Sequence, residues 1–184
     1  MITQIDLQIM EWIQNHLQSE MMTFIMKFFT HVGDLMLLWA ILLIIYFLFK
    51  KDKMRSKKIF FSLLLTFIIS EIILKNIVKR PRPFVENKHL QSLIHDPTSY
   101  SFPSSHSATS FAVASSLTKI KPWVTIGSYV LAACIAFSRV YLNVHHPSDI
   151  LIGALIGICA SKFIDYVLKK IDLNKSKKSE EINL

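Results

Sequence analysis

Apolar runs constrain this chain most. Five of them, at about residues 35–49, 59–78, 104–119, 123–137 and 147–168, alternate with short polar segments rich in lysine and arginine. A bilayer-spanning helix needs about 20 such residues. Hydrophobic residues make up 52% of the 184-residue chain, too many for an ordinary soluble domain. The predicted fold is therefore all-α: a polytopic transmembrane helix bundle with about five or six spans.

Residues 1–33 read differently. Ile5, Ile9, Trp12 and Ile13, then Met21, Phe24, Ile25 and Phe28, recur at helical spacing, while Gln4, Asp6, Gln8, Glu11, Gln14 and Asn15 fill polar positions. One or two N-terminal amphipathic helices are expected here, broken at Gly33-Asp34. Acidic Asp6 and Glu11 stand where the basic region of a signal peptide belongs, so none is expected. Residues 34–170 form the expected transmembrane core and 171–184 a basic cytoplasmic tail with Lys175, Lys177 and Lys178.

A net charge of +8 raises the question of nucleic acid, but the cations cluster at the ends of apolar runs, where they set membrane orientation. Membrane lipids, not nucleic acid, are the implied partners; the oligomeric state stays open. The densest cluster between runs, Lys50 to Lys58, is expected in the cytoplasm. Counting spans from it places Lys75 to Arg82, the start of the third run, Arg139 and His145 together on the outer face. There Lys79, Arg80 and Arg82 defy the positive-inside preference, which calls for a task or a partner. Lys79 and Arg80 read as headgroup anchors. Cys134 and Cys159, inside apolar runs, read as small core residues.

Three polar blocks carry chemistry: Lys75-x6-Arg82-Pro83, Pro103-Ser104-Ser105-His106, and Ser138-Arg139-x5-His145-x3-Asp149. Lys75, Arg82 and Arg139 come from separate elements and can surround one phosphate, the arginines binding oxygens in pairs. Pro103-Ser104-Ser105 looks like a helix start, where free N–H groups receive anions and Ser104 adds a hydroxyl or simply caps. Asp149, four residues after His145, can accept its Nδ1–H and leave Nε2 nucleophilic; His146 competes for that place and reads as support or packing. His106 can then protonate the leaving oxygen. Zinc bound by His106, His145, His146 and Asp149 is the metal alternative, disfavoured because three cations would repel it. No cofactor is expected. Glu71 can pair with Lys75 one turn on, and Gly153-x3-Gly157 suits close helix packing. His89, His95 and Asp96 read as surface residues.

In order and spacing, these blocks resemble the signature of the type 2 phosphatidic acid phosphatase superfamily, Lys-x6-Arg-Pro, Pro-Ser-Gly-His and Ser-Arg-x5-His-x3-Asp, over about 75 residues. The resemblance implies a phosphohistidine formed on His145 and oriented by Asp149, His106 as the acid, and Lys75, Arg82, Ser104, Ser105 and Arg139 on the phosphate. Ser105 replaces the family's glycine, which shifts the cradle without removing an ionisable group. It further implies a bacterial plasma-membrane lipid phosphatase with an extracytoplasmic site, most simply acting on undecaprenyl diphosphate. Phosphatidylglycerophosphate or phosphatidic acid is the alternative substrate. A phosphotransferase, or a catalytically silent lipid-phosphate binding or transport protein, would use the same pocket.

Overall fold

A computed structural model describes the backbone of residues 2–182 and the side chains of that range except Ile2, 36–39 and 175–182. Its regular structure is all helical among the described residues, with no strand. Two helices, α1 (Ile2–Leu17) and α2 (Glu20–Asp34), precede the apolar α3 (Met36–Phe49). Then follow α4 (Lys53–Phe67), a π-helical turn (Ile68–Leu74) and the short α5 (Lys75–Val78) and α6 (Pro83–Glu86). After a loop come α7 (Ser105–Ser116), α8 (Pro122–Tyr141) and α9 (Pro147–Ile182).

Three helical stretches among the described residues are long and apolar enough to cross a membrane: Lys53–Glu86, Pro122–Tyr141 and Pro147–Asn174. The run expected as a third span behaves otherwise. Its helix, α7, has only 12 residues, short of a bilayer crossing, and Ser107, Ala108, Ser110 and Ala112 to Ser116 are all buried. Small side chains explain this: they let α4, α8 and α9 close around α7, which becomes the central post of the bundle. The glycines of α9 make the closest approach. A Cβ at Gly157 would stand 2.1 Å from Ala108 O and 2.8 Å from Ala112 N, and one at Gly153 2.5 Å from Ser104 O. All of these are backbone atoms that cannot swing aside. Gly157→Ala is therefore expected to destabilise the detergent-solubilised protein by about 1–3 kcal/mol through overpacking. Gly127→Ala on α8, where a Cβ meets nothing within 4 Å, should be neutral or stabilising by up to about 1 kcal/mol. Thermal unfolding of the two variants side by side checks this.

Met10 and Ile13 of α1 and Met26 of α2 pack with Val140, Tyr141, Leu142 and Val144 in one core cluster, so the N-terminal helices wrap the end of α8. Asp6, expected on a polar face, is instead buried, held by partners described below. The outer surface is apolar, with Trp123, Leu151, Leu155 and Phe163 exposed. Cys159 belongs to that exposed surface and Cys134 is half-buried, so the core reading of Cys159 fails: on a helix facing lipid, apolar sequence does not mean interior. α9 runs on through the tail expected after residue 170; the side chains of Lys175, Lys177 and Lys178 and residues 183–184 lie outside the described residues.

The two ends of the bundle are chemically different. At one, Arg55 closes α7 by donating to Ser116 O (3.2 Å) and Thr118 O (3.0 Å), and Lys58 pairs with Asp165 at 3.4 Å. At the other lie the end of α2, Lys75, the start of α7, the end of α8 and the start of α9. All three sequence blocks meet there.

Candidate active site

Lys75 arrives at the exit of the π-helical turn, as the first residue of α5. The wider turn carries Glu71 and hands the chain to α5 at Lys75; such bulges often mark functional sites. The expected pair forms: Lys75 Nζ donates to Glu71 Oε1 at 2.7 Å, and Glu71 Oε1 also accepts from the Ser105 hydroxyl. Lys75 further reaches Ser99 Oγ at 3.3 Å.

Arg82 is buried and aimed by carbonyls. Its Nε donates to Ser99 O and one Nη to Val144 O, both at 2.7 Å, and the other Nη to Ser99 Oγ at 3.0 Å. Nη1 also lies 3.4 Å from His145 Nε2. Facing an N–H donor, that nitrogen must hold its lone pair, which places the His145 proton on Nδ1. Burial, helped by the Arg82 and Arg139 cations, pushes the imidazole well below its ordinary range, to about 3. His145 is thus a neutral ring with its free nitrogen turned toward a guanidinium.

Asp149 is fully buried and crowded with donors. It accepts from Arg80 Nη1 (2.7 Å), Ser101 Oγ (2.5 Å), and the backbone N–H (2.9 Å) and Nδ1 (3.2 Å) of His146. His145 Nδ1 faces Asp149 Oδ2 at 3.6 Å, beyond hydrogen-bond length, and is a buried atom with no hydrogen-bond partner. The expected tight His145–Asp149 bond is therefore a longer approach, because Ser101 and His146 already occupy that oxygen. His146 supports, as expected: its Nε2 is held by Glu86 at 3.0 Å.

Arg80 departs furthest from its expected place. It is no headgroup anchor: it binds Asp149 Oδ1, Ser148 Oγ (2.7 Å) and Asp6 Oδ2 (2.8 Å), while Ser148 N–H and Oγ also donate to Asp6. A lone exposed cation would seek headgroups; this one has two buried carboxylates to neutralise. Lys79, by contrast, is exposed and ends α5 in the left-handed region, φ 49°. The surplus of cations expected on the outer face was the only sequence signal for Arg80.

At the start of α7, Ser104 is buried and accepts from Ser107 N–H at 3.4 Å, the plain cap. Ser105 and His106 begin the first turn, whose N–H groups lack intrahelical partners. Arg139 is buried, donates to the Thr30 hydroxyl, and keeps an Nε–H with no partner. His106 Nε2 meets Asp34 Oδ1 at 2.7 Å. In the sequence pattern Asp34 marks only a helix break. His89, His95 and Asp96 are exposed, as expected. No group of three His, Cys, Asp or Glu residues suited to a metal occurs among the described residues.

Two cavities meet at His106. One, of about 730 Å³, is walled by Ile44, Phe60, Leu64 and Phe67 together with Glu71, Ser105, His106 and Asp34. The other, of about 830 Å³, is lined by Lys27, Thr30, His31, Asp34, His106 and Arg139 among others. The arrangement offers cations and helix-start N–H groups for an oxyanion, a neutral imidazole beside the Arg82 guanidinium, and a second imidazole beside an apolar space.

A family model described as the PAP2 superfamily matches residues 55–172, which takes in all three blocks. The chain belongs to that superfamily, and it is a membrane protein. An undecaprenyl-diphosphatase of Sulfolobus acidocaldarius is 34% identical over 108 residues, 56% of this chain and 52% of the relative, so the match spans about half that relative's length. The crystal structure of Aquifex aeolicus LpxE superposes with a TM-score of 0.70 at 26% identity, covering 86% of this chain and 93% of that one. A transmembrane PAP2-type phosphatidylglycerolphosphate phosphatase from Bacillus subtilis shares the fold, with a TM-score of 0.76, 23% identity and coverage of 94% and 87%.

Proposed function

We propose that this chain is a metal-independent lipid phosphatase of the bacterial plasma membrane, with its site on the extracytoplasmic face. It would convert undecaprenyl diphosphate to undecaprenyl phosphate and phosphate. The observation that carries the lipid reading is the shared wall: His106 and Ser105 line the same cavity as Ile44, Phe60 and Phe67. A charged headgroup and an apolar chain can thus be held at once. The isoprenoid diphosphate is supported by the Sulfolobus relative and by the outward site that positive-inside counting gives.

In this reading Lys75, Arg82 and Arg139, with the N–H groups at the start of α7, hold the terminal phosphoryl oxygens and neutralise the charge that develops on them. Ser104 and Ser105 shape that cradle, Ser105 through its backbone and its bond to Glu71. His145 Nε2 attacks phosphorus; the bridging P–O bond breaks, and the leaving lipid phosphate takes a proton from His106. His106 then removes a proton from the water that opens the N–P bond, releasing phosphate. Asp149, braced by Arg80, Ser101 and His146, fixes the ring and steadies the cationic phosphohistidine.

Phosphate release in detergent is expected to persist in EDTA and to be faster from undecaprenyl diphosphate than from phosphatidylglycerophosphate. Loss of activity on chelation would sink the metal-free mechanism. Preference for the glycerolipid would keep the mechanism and reassign the substrate.

A further inference from the structure

The end of α2 is shaped around His106. Gly33 lies so close that a Cβ there would stand 2.8 Å from His106 Cδ2 and 2.7 Å from Ile135 Cγ2. The next residue, Asp34, takes His106 Nε2 at 2.7 Å, and its second oxygen faces His31 Nδ1 at 3.5 Å. Asp34 and His106 line both cavities that meet at the site. The hydrogen bond from His106 holds the Asp34 carboxyl below its ordinary value, so it stays ionised. The other charged groups acting on this pair are Arg139 from α8, Lys75 from the start of α5, and His31. His106 Nδ1 makes no hydrogen bond among the described residues.

We propose that Asp34 is the positioning residue of the general acid: it binds Nε2–H of His106, so that Nδ1 is the nitrogen that exchanges protons with substrate and water. The proposal rests on the reading of His106 as acid. A general acid must carry its proton and aim it: burial, with the Arg139 and Lys75 cations, pulls the His106 imidazole below its ordinary range, and the Asp34 carboxylate on the far nitrogen opposes them and fixes the ring's plane. In the first half-reaction the His145 Nε2–P bond forms and the bridging P–O bond breaks. Its electron pair stays on the leaving oxygen, which takes the proton from Nδ1. His106 is then neutral and keeps Nε2–H on Asp34. In the second, water attacks phosphorus, gives a proton to Nδ1, and the N–P bond breaks, restoring both histidines.

The test is leaving-group dependence of kcat/KM, which reports the first bond-breaking step. Wild type, Asp34→Asn, Asp34→Glu and His106→Ala are compared on phosphatidic acid, a poor leaving group, and p-nitrophenyl phosphate, a good one. Asp34→Asn is expected to lose about 10²-fold on the alkyl ester and less than about threefold on the aryl ester, the pattern of a weakened acid. Asp34→Glu, which keeps the carboxylate, should recover at least about tenfold of that loss, and His106→Ala should show the same pattern more strongly. Equal losses on both esters, or none, would overturn the role of Asp34. If His106→Ala itself fails to discriminate, the acid reading of His106 falls and takes the proposal with it. Should wild type cleave neither ester, the same variants are compared on undecaprenyl diphosphate: a loss in Asp34→Asn that Asp34→Glu restores supports the role, and no loss overturns it. Unchanged thermal unfolding of Asp34→Asn, a half-exposed isostere, guards against misfolding.

Discussion

His145→Ala is expected to lower kcat/KM for the lipid substrate by about 10⁴-fold or more, since it removes the atom that forms the covalent intermediate. His146→Ala should lower it by only about tenfold. The two histidines are adjacent, and both approach Asp149. Proximity to the carboxylate would even favour His146, at 3.2 Å against 3.6 Å. What separates them is the other nitrogen. His146 Nε2 is spent on Glu86, whereas His145 Nε2 lies beside the Arg82 guanidinium, where a phosphoryl oxygen would sit. His145 also needs no base to activate it: burial keeps it neutral down to about 3, so its lone pair is available across the working pH range. Trapping after brief mixing with radiolabelled lipid diphosphate should yield an acid-labile phosphoryl-protein in wild type and His146→Ala, and none in His145→Ala. Label retained in His145→Ala, or lost only in His146→Ala, would move the nucleophile one residue along the chain.

The chemistry-bearing side chains were legible because each block sits at the end of an element, where residue type and spacing limit what it can do. Glu71 with Lys75 and Gly153 with Gly157 follow from helical periodicity alone, and both pairs behave accordingly. Longer-range pairings were not legible. Asp34 with His106 and Asp6 with Arg80 join residues 72 and 74 apart, and neither carboxylate stands out from its helix pattern. The burial of α7 was not legible for a related reason. Hydropathy measures how apolar a segment is, and cannot tell a helix facing lipid from a short one enclosed by its neighbours. Nor does any sequence pattern announce the π-helical turn that delivers Glu71 and Lys75. Apolar content set the fold class; polar partners distant in sequence set the site.

Arg80 tests that distinction. Its guanidinium joins two helices, binding Asp6 on α1 and Ser148 and Asp149 at the start of α9. Asp6 and Asp149 are both almost fully buried. Removing the cation leaves two carboxylates short of their counter-charge in a place that water barely reaches. Breaking a buried pair this way costs about 3–5 kcal/mol. Arg80→Ala is therefore expected to unfold at markedly lower temperature in detergent. Its kcat/KM should also fall by about 10²-fold, because Asp149 would no longer be held where it braces the His145 ring. Arg80→Lys keeps a charge but cannot fork between two carboxylates and a hydroxyl, and should fall between the two. The decisive variant is Arg80→Ala with Asp6→Asn. With one of the uncompensated charges removed, it should recover about 0.5–3 kcal/mol relative to the sum of the single changes. It should recover little activity, since Asp149 still lacks its partner. A headgroup anchor would behave in the opposite way: Arg80→Ala would leave unfolding in detergent unchanged, and Asp6→Asn would not couple to it.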